Sequence, residues 1–184
     1  ATDGAAALTV RAIADKAGVS TMNVYSRFGG KDGVVEELFK EGFRRLAAAM
    51  AVPESDDPLI DMAACGRAYI AFARANPTYY SLMFGGAVPG FHPTPETRVE
   101  AVAVLDEPER RVQRAIDAGL LHGDAFTIAA GLWASVHGLA SLWLLDMTDT
   151  EGVSAFDWDA ITGPTLDALT CGLRGDPAER SAAG

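Results

Sequence analysis

Apolar positions recur at helical spacing along almost the whole chain, and no strand-like stretch is evident. Val10, Ile13, Ala14 and Ala17 follow i, i+3, i+4, i+7 and share one face of a short helix that Thr9 is placed to cap. Gly18 supplies the left-handed residue that ends this helix, Val19 gives the turn an apolar anchor, and Ser20 caps a second helix. On the second helix Val24 and Phe28 face inward with Thr21 beside them, while Met22, Asn23, Ser26 and Arg27 point outward. An amphipathic helix follows without a linker from Asp32 to about Met50, marked by Val35, Leu38, Phe39, Gly42, Leu46 and Ala49. Residues 51–58, AVPESDDP, read as a loop, and Leu59 to Ala75 is helical again, with Leu59, Met62, Ala63, Gly66, Tyr69, Ile70 and Ala73 on one side. Thr78 to Phe84 is a short aromatic helix, and residues 85–95 hold too much Gly and Pro for regular structure. Glu96 to Leu105 and Glu109 to Leu120 are expected as helices either side of Pro108, which should break the path near Glu107. Ala125 to Leu145 is a long apolar segment, Asp146 to Asp159 an acidic loop, and Ala160 to Leu173 a last helix offering Ile161, Thr165, Leu166, Leu169 and Leu173. The fold class is therefore all-α.

The first two helices carry the most specific chemistry. A hairpin with so short a turn, whose second helix shows polar donors, a cation and no acid to solvent, suits a recognition helix in a DNA major groove. A surface hairpin that binds protein instead is the plainer alternative. The detailed run AGVSTMNVYSRFGGKDGVVEELF resembles the operator-binding domain of the TetR family of bacterial regulators. That pattern is met by Ala17, Gly18, Val19, Ser20, Tyr25, Phe28 and Lys31, and with LTVRAIADK upstream it covers about residues 8–46. The resemblance implies a helix-turn-helix DNA-binding domain at residues 1–46 and a helical effector-binding and dimerisation domain at 47–184. It also implies that Thr9, Tyr25 and Lys31 contact phosphates, while Arg11, Thr21, Met22, Asn23 and Arg27 approach base edges. Gly33 departs from the pattern, which usually has a larger residue there, and should weaken the following helix slightly. The chain starts at ATDGAAAL, where the resemblance places the end of a first helix, so that helix is expected to be missing or truncated.

A net charge of −10 looks wrong for a DNA binder until it is divided. Residues 1–50 carry seven Lys and Arg against six acids, and all three lysines lie in the first 40 residues, which leaves −11 on the remainder. A contacting head on an acidic body repels phosphate away from the reading face and keeps non-specific affinity modest. With 184 residues, 49% of them hydrophobic, the chain can bury one good core and a small satellite. Cys65 and Cys171 sit in helical apolar contexts without metal spacing, and are expected as small buried hydrophobes, with a thiol sensor as the alternative.

The 21 residues from Ala125 to Leu145 contain no acid, lysine or arginine, a length that spans a bilayer. Internal polar and glycine residues and acidic flanks at Asp124 and Asp146 argue against a membrane. A helix apolar all round then needs a partner molecule, and Gly131, Ser135 and Gly138 would let another helix approach closely. Two C-terminal helices from each of two copies would make a four-helix dimer interface. LWASVHGL, with Trp133, His137 and Gly138, together with NPTYYSLMFG, resembles the effector and dimerisation domain with a Trp...His-Gly signature in one branch of the TetR family. That resemblance gathers Tyr69, Phe72, Tyr79, Tyr80, Met83, Phe84, Phe91, Trp133 and His137 around one effector cavity, although His137 also fits a hydrogen-bonded core position. Neither a G-x-S-x-G elbow nor a metal spacing among His92, His122 and His137 supports an enzyme, and no cofactor is expected. The reading is a cytoplasmic, homodimeric regulator, a repressor released from double-stranded operator DNA by a small, mostly apolar molecule. The alternatives are a helical protein-interaction module and a small hydrolase using His137 with a serine and an acid.

Overall fold

The computed structural model describes residues 8–149 and 156–173, and among these every regular element is helical. The elements are α1 (Val10–Ala17), α2 (Thr21–Phe28), α3 (Lys31–Met50), α4 (Pro58–Ala75), α5 (Pro77–Phe84), α6 (Pro95–Val102), α7 (Asp106–Asp117), α8 (Ala125–Asp149) and α9 (Trp158–Gly172). The expected end of a first helix before Leu8 and the middle of the acidic loop lie outside the described residues.

The chain divides into two units, Ala1–Arg45 with Asn76–Ala103, and Leu46–Ala75 with Val104–Gly184. One division falls a residue from the expected boundary at 46. The other places α5 and α6, expected in the second domain, with the N-terminal helices. The reason is aromatic packing within the first unit: Phe39 meets Phe43 and Phe91 at ring distances of 4.9 and 5.9 Å, and Phe43 meets Phe84 at 5.4 Å. A Cβ on Gly42 would lie 2.6 Å from Met83 Sδ, so the Met83 side chain lies in the space that glycine leaves on α3. Glu36 of α3 accepts from the Thr97 hydroxyl at 2.7 Å and the Thr94 amide at 3.0 Å, bonds that hold its carboxyl below the usual range.

In the second unit Leu59, Met62, Val112, Ala115, Leu121, Ala125 and Ala129 from α4, α7, α8 and the α7–α8 loop form the core. Pro108 does not break α7. It lies in the helix's first turn, where its missing N–H has no intrahelical partner, and the break falls earlier at a 3₁₀ turn, Ala103–Leu105. The long apolar helix also continues past Leu145 to Asp149, into the expected loop. Among the described helices one, over Ala125–Asp146, is long and apolar enough to cross a membrane, and 17% of its most apolar window is buried. Only Ala125, Ala129, Val136 and Ala140 of this helix are buried, while Phe126, Leu142 and Leu145 are about half exposed. On α9 only Leu166 is buried.

Candidate functional site

The hairpin is built by local chemistry. Thr9 Oγ1 accepts from the Ala12 amide at 3.1 Å, Gly18 takes φ +67° so that its own N–H and that of Val19 close the end of α1, and Ser20 Oγ accepts from the Asn23 amide at 3.2 Å. Ala14 and Val24 are the buried contacts between the two helices, and Phe28 is half-buried. Thr9, Arg11, Thr21, Met22, Asn23, Tyr25 and Arg27 are all exposed, and Lys31 is partly exposed beside Asp32 at 3.7 Å. Met22 is 73% exposed and Tyr25 54%, so both side chains are available to a partner. Thr21, expected beside the inward-facing Val24 and Phe28, is exposed at the first position of α2. Val19 does not anchor the turn either. Its amide closes the helix onto Ala14 O while its side chain stays 43% exposed.

Gly33 is more than a departure from a pattern. A Cβ there would sit 1.7 Å from Phe28 O, so the start of α3 packs directly onto the backbone that ends α2. The glycine fixes the approach of the two helices at the cost of some helix propensity.

The nine residues expected around one cavity are divided between the two units. Tyr79, Tyr80, Met83, Phe84 and Phe91 belong to the first, where Tyr80, Phe84 and Phe91 join the aromatic cluster and Arg45 stacks 4.8 Å over the Tyr79 ring. The second unit holds an apolar cavity of about 50 Å³ whose lining includes Met50, Met62, Cys65, Tyr69, Arg111, Trp133 and Leu166, so only Tyr69 and Trp133 of the nine reach it. Phe72 is buried in α4 without lining it. His137 stands behind the lining: its Nδ1 is 3.0 Å from the Tyr69 hydroxyl, its Nε2 3.4 Å from Ser141 Oγ, and its ring 5.5 Å from Trp133. Burial lowers the His137 pKa and favours the neutral ring. Tyrosine on one nitrogen and a serine on the other make a positioning network, and the carboxylate that would orient a general base is replaced by the Tyr69 hydroxyl. Burial pushes the Cys65 thiol up to about 11, which makes it inert, whereas Cys171 is exposed on α9, contrary to expectation, because α9 buries only its Leu166 side. Among the described residues no group of three or more His, Cys, Asp or Glu is placed to hold a metal ion.

A polar cluster that hydrophobic periodicity does not reveal borders this cavity. Asp61, 2% exposed, accepts from the Ser55 amide and hydroxyl and from Arg114 Nη1 at 2.5 Å. Burial alone would raise its pKa, but the Ser55 bonds and Arg114 outweigh this and hold it low. Arg110 bridges Glu54 and Glu107, Arg114 also reaches Ser55 O, and the 2%-exposed Arg111 donates Nε to Glu107 at 2.7 Å and Nη2 to Val52 O at 2.5 Å. Three α7 arginines thus tie residues 52–55 down. The spacing of Arg110, Arg111 and Arg114, with a carboxylate one residue before the buried Met62, is the sequence signal that marks them.

Residues 1–38 match the family described as bacterial regulatory proteins, tetR family, and residues 62–162 match the tetracyclin repressor-like C-terminal domain. The HTH-type transcriptional regulator Rv1816 of Mycobacterium tuberculosis is 30% identical over 125 residues, 66% of this chain and 52% of that protein. The chain therefore spans about half the length of the curated relatives it matches. A protein of unknown function from Rhodococcus sp. RHA1 superposes with a TM-score of 0.75 at 27% identity, over 95% of this chain and 89% of that one. The transcriptional regulator FadR from Bacillus subtilis, in complex with stearoyl-CoA, shares the fold with a TM-score of 0.72 at 17% identity, covering 94% and 92%. With an N-terminal helix-turn-helix, an all-helical second half and a C-terminal-domain match over more than half its length, the chain belongs to the TetR family.

Proposed function

We propose that this chain is a DNA-binding transcriptional regulator, a repressor that acts as a homodimer and leaves its operator when a small, mostly apolar molecule enters the second unit. The observation that carries the reading is the outward face of α2, where Met22, Asn23 and Arg27 are exposed while Val24 on the opposite side is buried. A rigid short helix presenting an amide and a guanidinium without an acid matches base edges, and Thr9, Tyr25 and Lys31 flank it at positions suited to phosphates, with Arg11 and Thr21 beside them.

The dimer reading rests on α8 and α9. Gly131, Gly138, Gly163 and Gly172 have open space where a Cβ would be, and a groove between the helices is lined by Thr127, Ile128, Leu132, Pro164, Ala168 and Leu169. An apolar face with small residues is what a second copy would cover in water, and it makes a bilayer unnecessary for a cytoplasmic protein. Trp133, His137 and Gly138 support, on this reading, an assignment to the branch with the Trp...His-Gly signature. The ligand site is the apolar cavity between α4, α7, α8 and α9, whose occupation would favour a dimer with its two reading heads wrongly spaced for adjacent major grooves. No catalytic role is assigned to His137.

The test is a gel shift with the duplex flanking the chain's own gene and a random duplex of equal length, titrated with salt. Specific binding that weakens steeply as salt rises supports the reading. Equal, weak affinity for both duplexes overturns it.

A further inference from the structure

Within the cavity of the second unit, the polar groups are nearly all committed. The Tyr69 hydroxyl faces His137, the Thr170 hydroxyl donates to Leu166 O at 2.8 Å, and the Cys65 thiol is held neutral by burial. Arg111 keeps one donor in reserve. Its Nε and Nη2 are spent on Glu107 and Val52 O, but Nη1 is buried without a protein acceptor, and the residue lines the cavity at 2% exposure. A buried donor of this kind seeks an acceptor, because leaving it unmade forfeits its hydration without return.

The charge around Arg111 then limits which acceptor fits. Arg110, Arg111 and Arg114 are matched by Glu54, Asp61 and Glu107 through ion pairs, so the guanidinium is already neutralised. A carboxylate brought to Nη1 would add an unbalanced negative charge to an apolar lining, and a multiply charged ligand would meet no second cation there. A carbonyl oxygen accepts the same hydrogen bond and brings no charge. Size adds a further limit. The cavity measures about 50 Å³, whereas a protein cavity known to take benzene has about 150 Å³. A ring therefore enters only as flexible side chains such as Met50 and Met62 move aside.

We infer that the effector is a compact, uncharged, mostly apolar molecule anchored by one carbonyl-type oxygen on Arg111 Nη1. This deepens the reading above and rests on its assignment of the ligand to this cavity. The experiment compares three probes of one size on the full chain by calorimetry: acetophenone with a neutral carbonyl, ethylbenzene without one, and benzoate with a carboxylate. Acetophenone is expected to bind about tenfold or more tightly than ethylbenzene, and benzoate to bind less tightly than acetophenone. Arg111→Met, checked for folding by circular dichroism, should bring acetophenone and ethylbenzene to equal affinity. Because that variant also loses the Val52 and Glu107 bonds, the nitrogen-15 resonances of the Arg111 side chain in the parent supply a second readout, and should shift with acetophenone and not with ethylbenzene. Equal binding of acetophenone and ethylbenzene to the parent, tighter binding of benzoate, or binding of none of the three overturns the inference. Carbonyl-dependent binding that leaves DNA affinity unchanged supports the site and overturns only the release mechanism.

Discussion

Helices α2 and α8 both leave much of their surface uncovered, for opposite chemical reasons. On α2 the exposed residues Asn23 and Arg27 are hydrogen-bond donors that water already satisfies, and only Met22 and Tyr25 are out of place in solvent. On α8 the exposed residues Phe126, Leu142 and Leu145 have nothing to offer water at all. A partner for α2 must therefore replace hydrogen bonds and supply negative charge, as a duplex does, and such a contact is reversible and salt-sensitive. A partner for α8 need only exclude water, and a second copy of the same helix, as proposed above, would do so through a long-lived contact. On the proposed reading, the same chain separates a transient polar surface from a lasting apolar one.

That contrast breaks most visibly at Leu142. Leu142→Glu places an unpaired carboxylate in the covered face of both copies, a loss of about 3–5 kcal/mol of association, and sedimentation should find monomers where the parent is a dimer. A parent that is itself monomeric at micromolar concentration would end the dimer reading. Asp61→Asn tests the interior of the same unit. It leaves Arg114 without its buried carboxylate, and because Arg114 is partly exposed the expected destabilisation is about 2–3 kcal/mol by denaturant titration. The folded pKa of Asp61 lies below its unfolded value. Its contribution is therefore fully present above pH about 4 and lost as pH falls through the folded value. The parent should accordingly lose stability more steeply in acid than Asp61→Asn, and parallel acid profiles would contradict the assignment.

On the polar side, Arg27→Ala should lower operator affinity by about 1–3 kcal/mol and relax base preference, while Lys31→Ala weakens operator and random duplex alike. Duplex titrations in which both variants match the parent would show that α2 docks differently or not at all. Gly33→Ala gives the smallest effect. Alanine favours the helix by about 1 kcal/mol, but its methyl displaces the Phe28 carbonyl at a cost of about 1–3 kcal/mol. A net loss of about 1 kcal/mol in stability, accompanied by weaker operator binding, would show that the approach of α3 sets the aim of α2.

The sequence by itself determined what is decided within one or two helical turns. Thr9 and Ser20 accept from amides three residues on, and the Gly18 and Val19 amides donate to carbonyls three to five residues back, so the caps of the hairpin and the outward face of α2 are legible in order along the chain. The start and the apolarity of α8 are legible for the same reason, although its last turn is not. Tertiary structure decided what depends on residues far apart. Tyr79, Met83, Phe84 and Phe91 look like cavity lining by composition, yet Gly42 and the Phe39–Phe43 pair draw them into the first unit. Asp61 and Arg114, 53 positions apart, look like two solvated charges until α4 and α7 pack and bury the carboxylate against Ser55. Arg111 likewise becomes a donor facing an apolar cavity only after Val52 and Glu107 have used its other nitrogens. Periodicity records which face of a helix avoids water, but the partner of a buried charge is chosen by the helix it meets, and that meeting is not written in the spacing of either one.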